Sequence, residues 1–328
     1  MKKILYLSAG VTSPATSFSC NFFKALKKTE YGNNLVSIVL QLYIDKFYNH
    51  DIKKNFLFKK KKIAFKMSNL PRNFDIYFID GTKNLLINDL PKEKLVIYFH
   101  KDLFSTFLVD NPDIILYRFI KTHPLLMRLF YPQMYYKTLE KKHPFFFAID
   151  PDRFDVVEKD IKGVSYLGPR FDLVARQPRN FIQQVSYDSH AKIIKFLRKN
   201  KISGQFKEIC SRSYYLERVN RLQARIIIPA DYSYETRLLY EAAYMGTVMI
   251  LYIQNDDAEQ LFAEYFHFRR NREYIGFSEP EELIDICKNL RKYNLGKLTR
   301  NARKAVDTYH TFDKRVEQLI KIIEEYYK

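Results

Sequence analysis

A chain of 328 residues, 47% hydrophobic and 28% charged with 9 Gly and 12 Pro, is neither disordered nor fibrous, and it is long enough for two domains. Its 55 Lys and Arg exceed its 37 Asp and Glu, leaving a net charge of +18 that suits acidic partners: nucleic acid, an anionic membrane surface or a phosphorylated small substrate. Cys20, Cys210 and Cys287 lie far apart with no C-x-x-C pair, so neither a disulfide framework nor a cysteine zinc site is implied, and the chain reads as cytoplasmic.

The apolar pattern comes in short, nearly continuous runs. Ile4–Leu7 is the first, and it runs into Thr12-Ser13-Pro14 too soon to be a signal peptide, so it reads as a buried strand. The stretch from Phe18 to Lys28 places Phe18, Phe22, Phe23 and Leu26 at helical spacing. Strands follow at Ile76–Gly81, Leu95–His100 and Ile114–Tyr117. Runs of four to six apolar residues without alternation are what strands buried on both faces require, and such strands need crossover helices. The class is therefore α/β with doubly wound parallel sheets.

A second series begins near residue 150. Strands are expected at Val164–Gly168, Ala224–Pro229, Thr247–Tyr252 and Ile275–Phe277, with helices at Ala191–Arg198, Leu238–Tyr244 and Pro280–Leu290. A terminal helix from about Asp313 carries Val316, Leu319, Ile320 and Ile323 as an apolar stripe. The expected division is residues 1–150 and 151–328, two Rossmann-like halves facing across a cleft, with the terminal helix able to pack back on the first. No run approaches the length of a transmembrane helix. Two basic stretches interrupt the pattern: Lys53–Lys62, where lysines are interleaved with aromatics, and Lys121–Lys142. Each reads either as a solvated edge or amphipathic helix, or as a surface for a polyanion or anionic lipid.

The sequence holds no G-x-G-x-x-G, Walker A loop, H-E-x-x-H or G-x-S-x-G, which argues against standard dinucleotide dehydrogenases, P-loop NTPases, zincins and α/β-hydrolases. In open α/β sheets, ligands bind beyond the carboxyl ends of the strands, so residues just after strands are the candidates. The most informative segment is Ser233-Tyr234-Glu235-Thr236-Arg237-Leu238-Leu239-Tyr240-Glu241, leading through Met245-Gly246 into a buried strand. A helix N-terminus there offers free N–H groups to a diphosphate. Glu241 falls one turn beyond Arg237 on the same face, which suits an i,i+4 ion pair equally well.

Arg237–Gly246 resembles the donor-site helix of group 1 glycosyltransferases of the GT-B fold, most closely their spore-maturation-type branch. Phe147–Phe154 with Val164–Arg170, and His310–Arg315, resemble in the right order that branch's interdomain segment and the start of its last helix. The strand ending in His100 is similar to one whose histidine lies by the transferred sugar, including in phage DNA α-glucosyltransferase. The resemblance implies transfer of a sugar from a nucleoside-diphosphate-sugar donor to an acceptor hydroxyl, metal-independent and retaining, with no cofactor. It implies that Glu241 binds ribose hydroxyls and that main-chain N–H groups of Ser233, Tyr234, Glu235, Thr236 and Arg237 hold the diphosphate. Arg170 and Arg237 would add positive charge, Gly10 in the first loop would approach the donor, and His100 would orient the sugar.

Many relatives carry an acid eight positions before the helix glutamate; here that position is Ser233, and Glu235 is out of register. The expected acceptor is a glycan, a lipid-linked sugar or DNA, with peripheral contact to an anionic membrane surface. The competing readings are a phage-type DNA base glycosyltransferase and a GT-B-fold binding protein that has lost catalysis.

Overall fold

The computed structural model describes residues 2–9, 18–40, 63–66, 73–81, 85–88, 93–100, 113–117, 142–167, 188–201, 206–207, 212–228, 237–253 and 255–328. These fall into two compact units: the first holds the described residues up to Phe146 together with Arg315–Lys328, and the second Phe147–Lys314.

In the first unit, strands β1 (Ile4–Ala9), β2 (Leu35–Leu40), β4 (Ile76–Gly81), β6 (Leu95–His100), β7 (Ile114–Tyr117) and β8 (Lys142–Pro144) form one parallel sheet in the order β2-β1-β4-β6-β7-β8. Strands β3 (Ile63–Lys66) and β5 (Leu85–Asn88) pair with each other, also in parallel. Helix α1 (Phe18–Lys27) covers one face, as its phenylalanine spacing predicts. Phe18 and Phe22, one turn apart, meet Phe99, Phe78 and Phe145, and Tyr6 stacks on Phe78 at 5.0 Å. Phe22 is fully buried. Such a ring stabilises by about 2–3 kcal/mol through burial, and its loss to Ala costs about 3–5 kcal/mol once the cavity is counted.

The second unit holds a parallel sheet of β9 (Ile161–Leu167), β10 (Phe206–Lys207), β11 (Leu222–Ile227), β12 (Val248–Tyr252) and β13 (Ile275–Phe277), ordered β10-β9-β11-β12-β13. Its helices are α2 (Asp188–Lys199), α3 (Arg212–Arg221), α4 (Arg237–Tyr244), α5 (Asp256–Tyr265), α6 (Glu282–Lys288) and α7 (Leu295–Tyr309). Val164, Ala224, Ile226, Val248 and Ile250 face a core built with Ile193, Ile194, Leu197, Leu283 and Ile286. Alternation along the strands sends Ser165 and Arg225, each 1% exposed, to the opposite face, where α4 packs on β11 and β12.

Helix α8 (Phe312–Tyr326) begins in the second unit, where the Phe312 N–H donates to the Ile149 carbonyl at 3.1 Å. Its later turns belong to the first: Arg315 Nε donates to the Phe146 carbonyl at 3.1 Å and Gln318 Nε2 to the Pro144 carbonyl at 2.7 Å. Val316, Leu319 and Ile323 are buried as the stripe requires, with Ile322 buried in place of the expected Ile320. Among the described residues no helix is long and apolar enough to cross a membrane.

Candidate functional site

The strand order of the second unit changes direction between β9 and β11, the position at which open parallel sheets leave a crevice at their carboxyl ends. Helix α4 is the element that follows β11, so its first residue, Arg237, belongs to that end of the sheet. Its sequence RLLYEAAY is apolar on the sheet side, and Leu239 through Tyr244 are all buried. Within this apolar layer lies one carboxylate. Glu241 is fully buried, and Arg237 Nε approaches its Oε1 at 3.1 Å. The pair is asymmetric: the Arg237 side chain keeps 36% of its surface exposed and that of Glu241 only 1%. A buried carboxylate needs compensation, and the i,i+4 spacing delivers it from the solvent side of the same helix.

The remainder of α4 is held at several points. The Tyr240 ring stacks on His310 at 4.3 Å, and His310, itself buried, donates from Nε2 to the Phe266 carbonyl at 2.9 Å. A carbonyl only accepts, so the proton sits on Nε2. At the C-terminus the Thr247 N–H donates to the Ala242 carbonyl at 2.9 Å and the Gly246 N–H to Ala243 at 3.2 Å, the two bonds of a Schellman motif. Gly246 takes φ +72°, the left-handed region this motif requires. The Lys159 ammonium donates to the Met245 carbonyl at 2.5 Å and to the Asn220 carbonyl in the last turn of α3. Burial pushes the pKa of Lys159 down to about 8. Arg303 closes the arrangement, its guanidinium lying 4.5 Å above the Tyr244 ring.

Of the residues singled out in the sequence, the structure brings Arg237 and Glu241 together. His100 ends β6 with its backbone in register with Gly81 and Tyr117, the carboxyl-end position expected of it. Gly10, Arg170, Ser233, Tyr234, Glu235 and Thr236 lie outside the described residues, as do Lys53–Lys62 and all of Lys121–Lys142 except Lys142. No group of three or more His, Cys, Asp or Glu suited to a metal ion occurs among the described residues.

Sequence reasoning missed the burial of three polar groups, one in the first unit and two in the second. Asp80, fully buried at the carboxyl end of β4, accepts from the Tyr6 hydroxyl at 2.8 Å. Arg225 is buried within β11, and His310 under Tyr240. Asp80 had a signal, a carboxylate closing an otherwise apolar strand. Arg225 sits in a continuous apolar run, where periodicity hides it.

Neither a protein-family model nor a curated protein matches the sequence. Solved structures do match over the whole chain. A glycosyltransferase from Rickettsia africae has a TM-score of 0.55 at 12% identity, covering 100% of this chain and 99% of its own. The Anabaena protein Alr3699/HepE, solved with UDP and glucose, has 0.52 at 10%, covering 99% and 100%. A sucrose-phosphate synthase from Thermosynechococcus elongatus has 0.55 at 11%, covering 99% of each chain. At this identity the likeness is one of fold. It agrees with the expectation from sequence: an α/β chain of two Rossmann-like units of the GT-B class.

Proposed function

We propose that this chain is a glycosyltransferase that moves a sugar from a nucleoside-diphosphate sugar to an acceptor hydroxyl. The observation that carries the reading is the buried Glu241 carboxylate one turn inside a helix that follows β11 at the switch point of the second sheet. A carboxylate accepts from both hydroxyls of a ribose diol, and a helix start beside it presents N–H groups to the diphosphate. Structures of the same fold support it, a glycosyltransferase and a protein solved with UDP and glucose among them.

The Arg237–Glu241 pair is the resting arrangement in this reading. Donor binding draws the half-exposed guanidinium of Arg237 to the diphosphate and leaves the Glu241 oxygens to the ribose. The second unit is thus the donor side and the first the acceptor side, with His100 orienting the sugar and Gly10 and Arg170 lining the donor. In the reaction the bond from the anomeric carbon to the diphosphate oxygen breaks and one to the acceptor oxygen forms. Arg170, Arg237 and main-chain N–H groups of Ser233, Tyr234, Glu235 and Thr236 take up the charge on the leaving diphosphate, so no metal is required. Retention of anomeric configuration, and a place in glycan or cell-surface synthesis, follow from the motif resemblance to the spore-maturation-type branch.

Ser233, standing where many relatives have an acid, favours a second reading in which the fold binds the nucleotide without turnover. The net charge of +18 favours DNA as the acceptor. Calorimetric titration with a panel of nucleoside diphosphates and their sugars, followed by assay of diphosphate release with glycan and duplex DNA acceptors, separates these. Binding with release supports transfer, binding alone supports the lapsed protein, and no binding to any nucleotide refutes the proposal.

A further inference from the structure

Residues 286–306 contain seven Lys or Arg and no Asp or Glu, the acids resuming only at Asp285 and Asp307. The structure sorts these cations. Lys288 closes α6, and Arg303 is committed to Tyr244 and lies 4.0 Å from Asp307. Lys297, Arg300 and Lys304, at i, i+3 and i+7 of α7, share one exposed face, opposite the buried Leu298, Ala302, Ala305 and Val306. Arg291 and Lys292, in the turn just before α7, are exposed as well. None of these five has an ion-pair partner among the described residues, in contrast to Arg221, Arg237 and Arg270, which all do. An exposed row of unneutralised cations repels itself, and an anionic partner relieves that repulsion.

The neighbourhood narrows the partner. Aromatic platforms that stack bases and free amides that read adenine edges are the nucleic-acid readers this face could add to its cations. The amide of Asn301, on the same face, already donates to the Arg272 carbonyl at 2.9 Å. The ring of Tyr309, at the end of the helix, is stacked on His267 at 3.7 Å. What is left is an exposed and predominantly cationic surface, with Asp307 its one acid and 4.0 Å from Arg303, and that suits a sheet of anionic headgroups. Because the apolar side of α7 is spent on the core, contact with lipid is electrostatic and does not insert the helix.

We propose that Arg291, Lys292, Lys297, Arg300 and Lys304 form a docking surface for an anionic phospholipid membrane. This stands apart from the glycosyl-transfer reading, since it uses none of the residues placed at the donor. The test is sedimentation of the full chain with vesicles of phosphatidylcholine alone and with roughly a third phosphatidylserine. Each cation near such a surface is worth about a fivefold factor in partitioning. The parent should bind only the anionic vesicles, and less as salt rises. The variant K297Q/R300Q/K304Q should bind at least about tenfold more weakly, with nucleotide binding and melting temperature unchanged. R291Q/K292Q, on the preceding turn, should weaken binding in the same direction. K192Q/K195Q/K199Q, an equal charge loss on α2, should bind as the parent does. Vesicle binding unchanged in K297Q/R300Q/K304Q overturns the proposal, as does an equal loss in the α2 variant. Loss of duplex DNA binding with vesicle binding intact overturns it in favour of a nucleic-acid surface.

Discussion

Glu241 and Arg237 stand one helical turn apart with 3.1 Å between Oε1 and Nε, and the burial of one is made tolerable by the other. Replacing Arg237 by Leu takes a cation from beside a buried carboxylate. We expect a loss of about 1–3 kcal/mol in stability, below the value for a fully buried pair because Arg237 is partly exposed to solvent. Denaturant unfolding of the variant measures it, and an unchanged midpoint would show that other groups compensate Glu241.

Glu241→Ala tests the ligand side of the same pair. If the carboxylate binds ribose hydroxyls, nucleotide affinity should fall by about 1–3 kcal/mol while the variant stays folded. Calorimetric titration gives the number, and an unaltered dissociation constant in a folded variant removes Glu241 from the donor site.

Much of this architecture was legible in the sequence because strands buried on both faces leave continuous apolar runs. Ile76–Gly81 and Leu95–His100 are the expected strands to the residue, and α4 starts one residue before the expected Leu238. Helix α7 left a fainter trace. Its buried face uses Ala302 and Ala305, which carry little hydrophobic signal, and its exposed face is the cationic row. Strands β3 (IAFK) and β5 (LLIN) sit outside the main sheet and each ends in a polar residue, so neither gives the unbroken four-residue apolar run that marked β7. The site shows the same division. An i,i+4 Arg–Glu spacing can be read from sequence, whereas the burial of Glu241, Asp80 and Arg225 depends on what packs over them from distant segments.

Gly246 ends α4 in the left-handed region, φ +72°. An added Cβ would meet nothing nearer than Lys159 Cε at 3.9 Å, so the cost of Gly246→Ala is that of the backbone alone. It should be about 1–2 kcal/mol, and Gly246→Asn should cost less. Thermal unfolding of the two variants checks the order, and equal losses would point to packing.

Gly276 in β13 is needed for a different reason. A Cβ there would lie 2.6 Å from Arg270 Nε and 3.1 Å from its Cζ. Arg270 crosses this glycine to reach Glu259, with Nε and Oε2 3.1 Å apart. Gly276→Ala should therefore displace the guanidinium and disturb its pair with Glu259, at a cost of about 1 kcal/mol or less. In an Arg270→Ala background the same change should cost much less. A double-mutant cycle by denaturant unfolding measures the coupling, and additive losses would rule out the steric cause.

Lys159 links the stability of the α4 terminus to pH. Burial holds its folded pKa at about 8, below the ordinary value of 10.5 that it regains on unfolding. Between those values the unfolded chain keeps a proton that the folded chain has released, so stability from this group rises with pH across that window. Below pH 8 both states are protonated, and the folded ammonium carries its desolvation cost. The neutral amine retains two protons, enough for the carbonyls of Met245 and Asn220, so the clamp on α3 and α4 persists when the charge is lost. The melting temperature of the parent, measured against Lys159→Met, should therefore gain on the variant as pH is raised from 8 to 10. A parent that instead loses ground to the variant over that range would mean that the two carbonyls hold the ammonium more tightly than burial expels it.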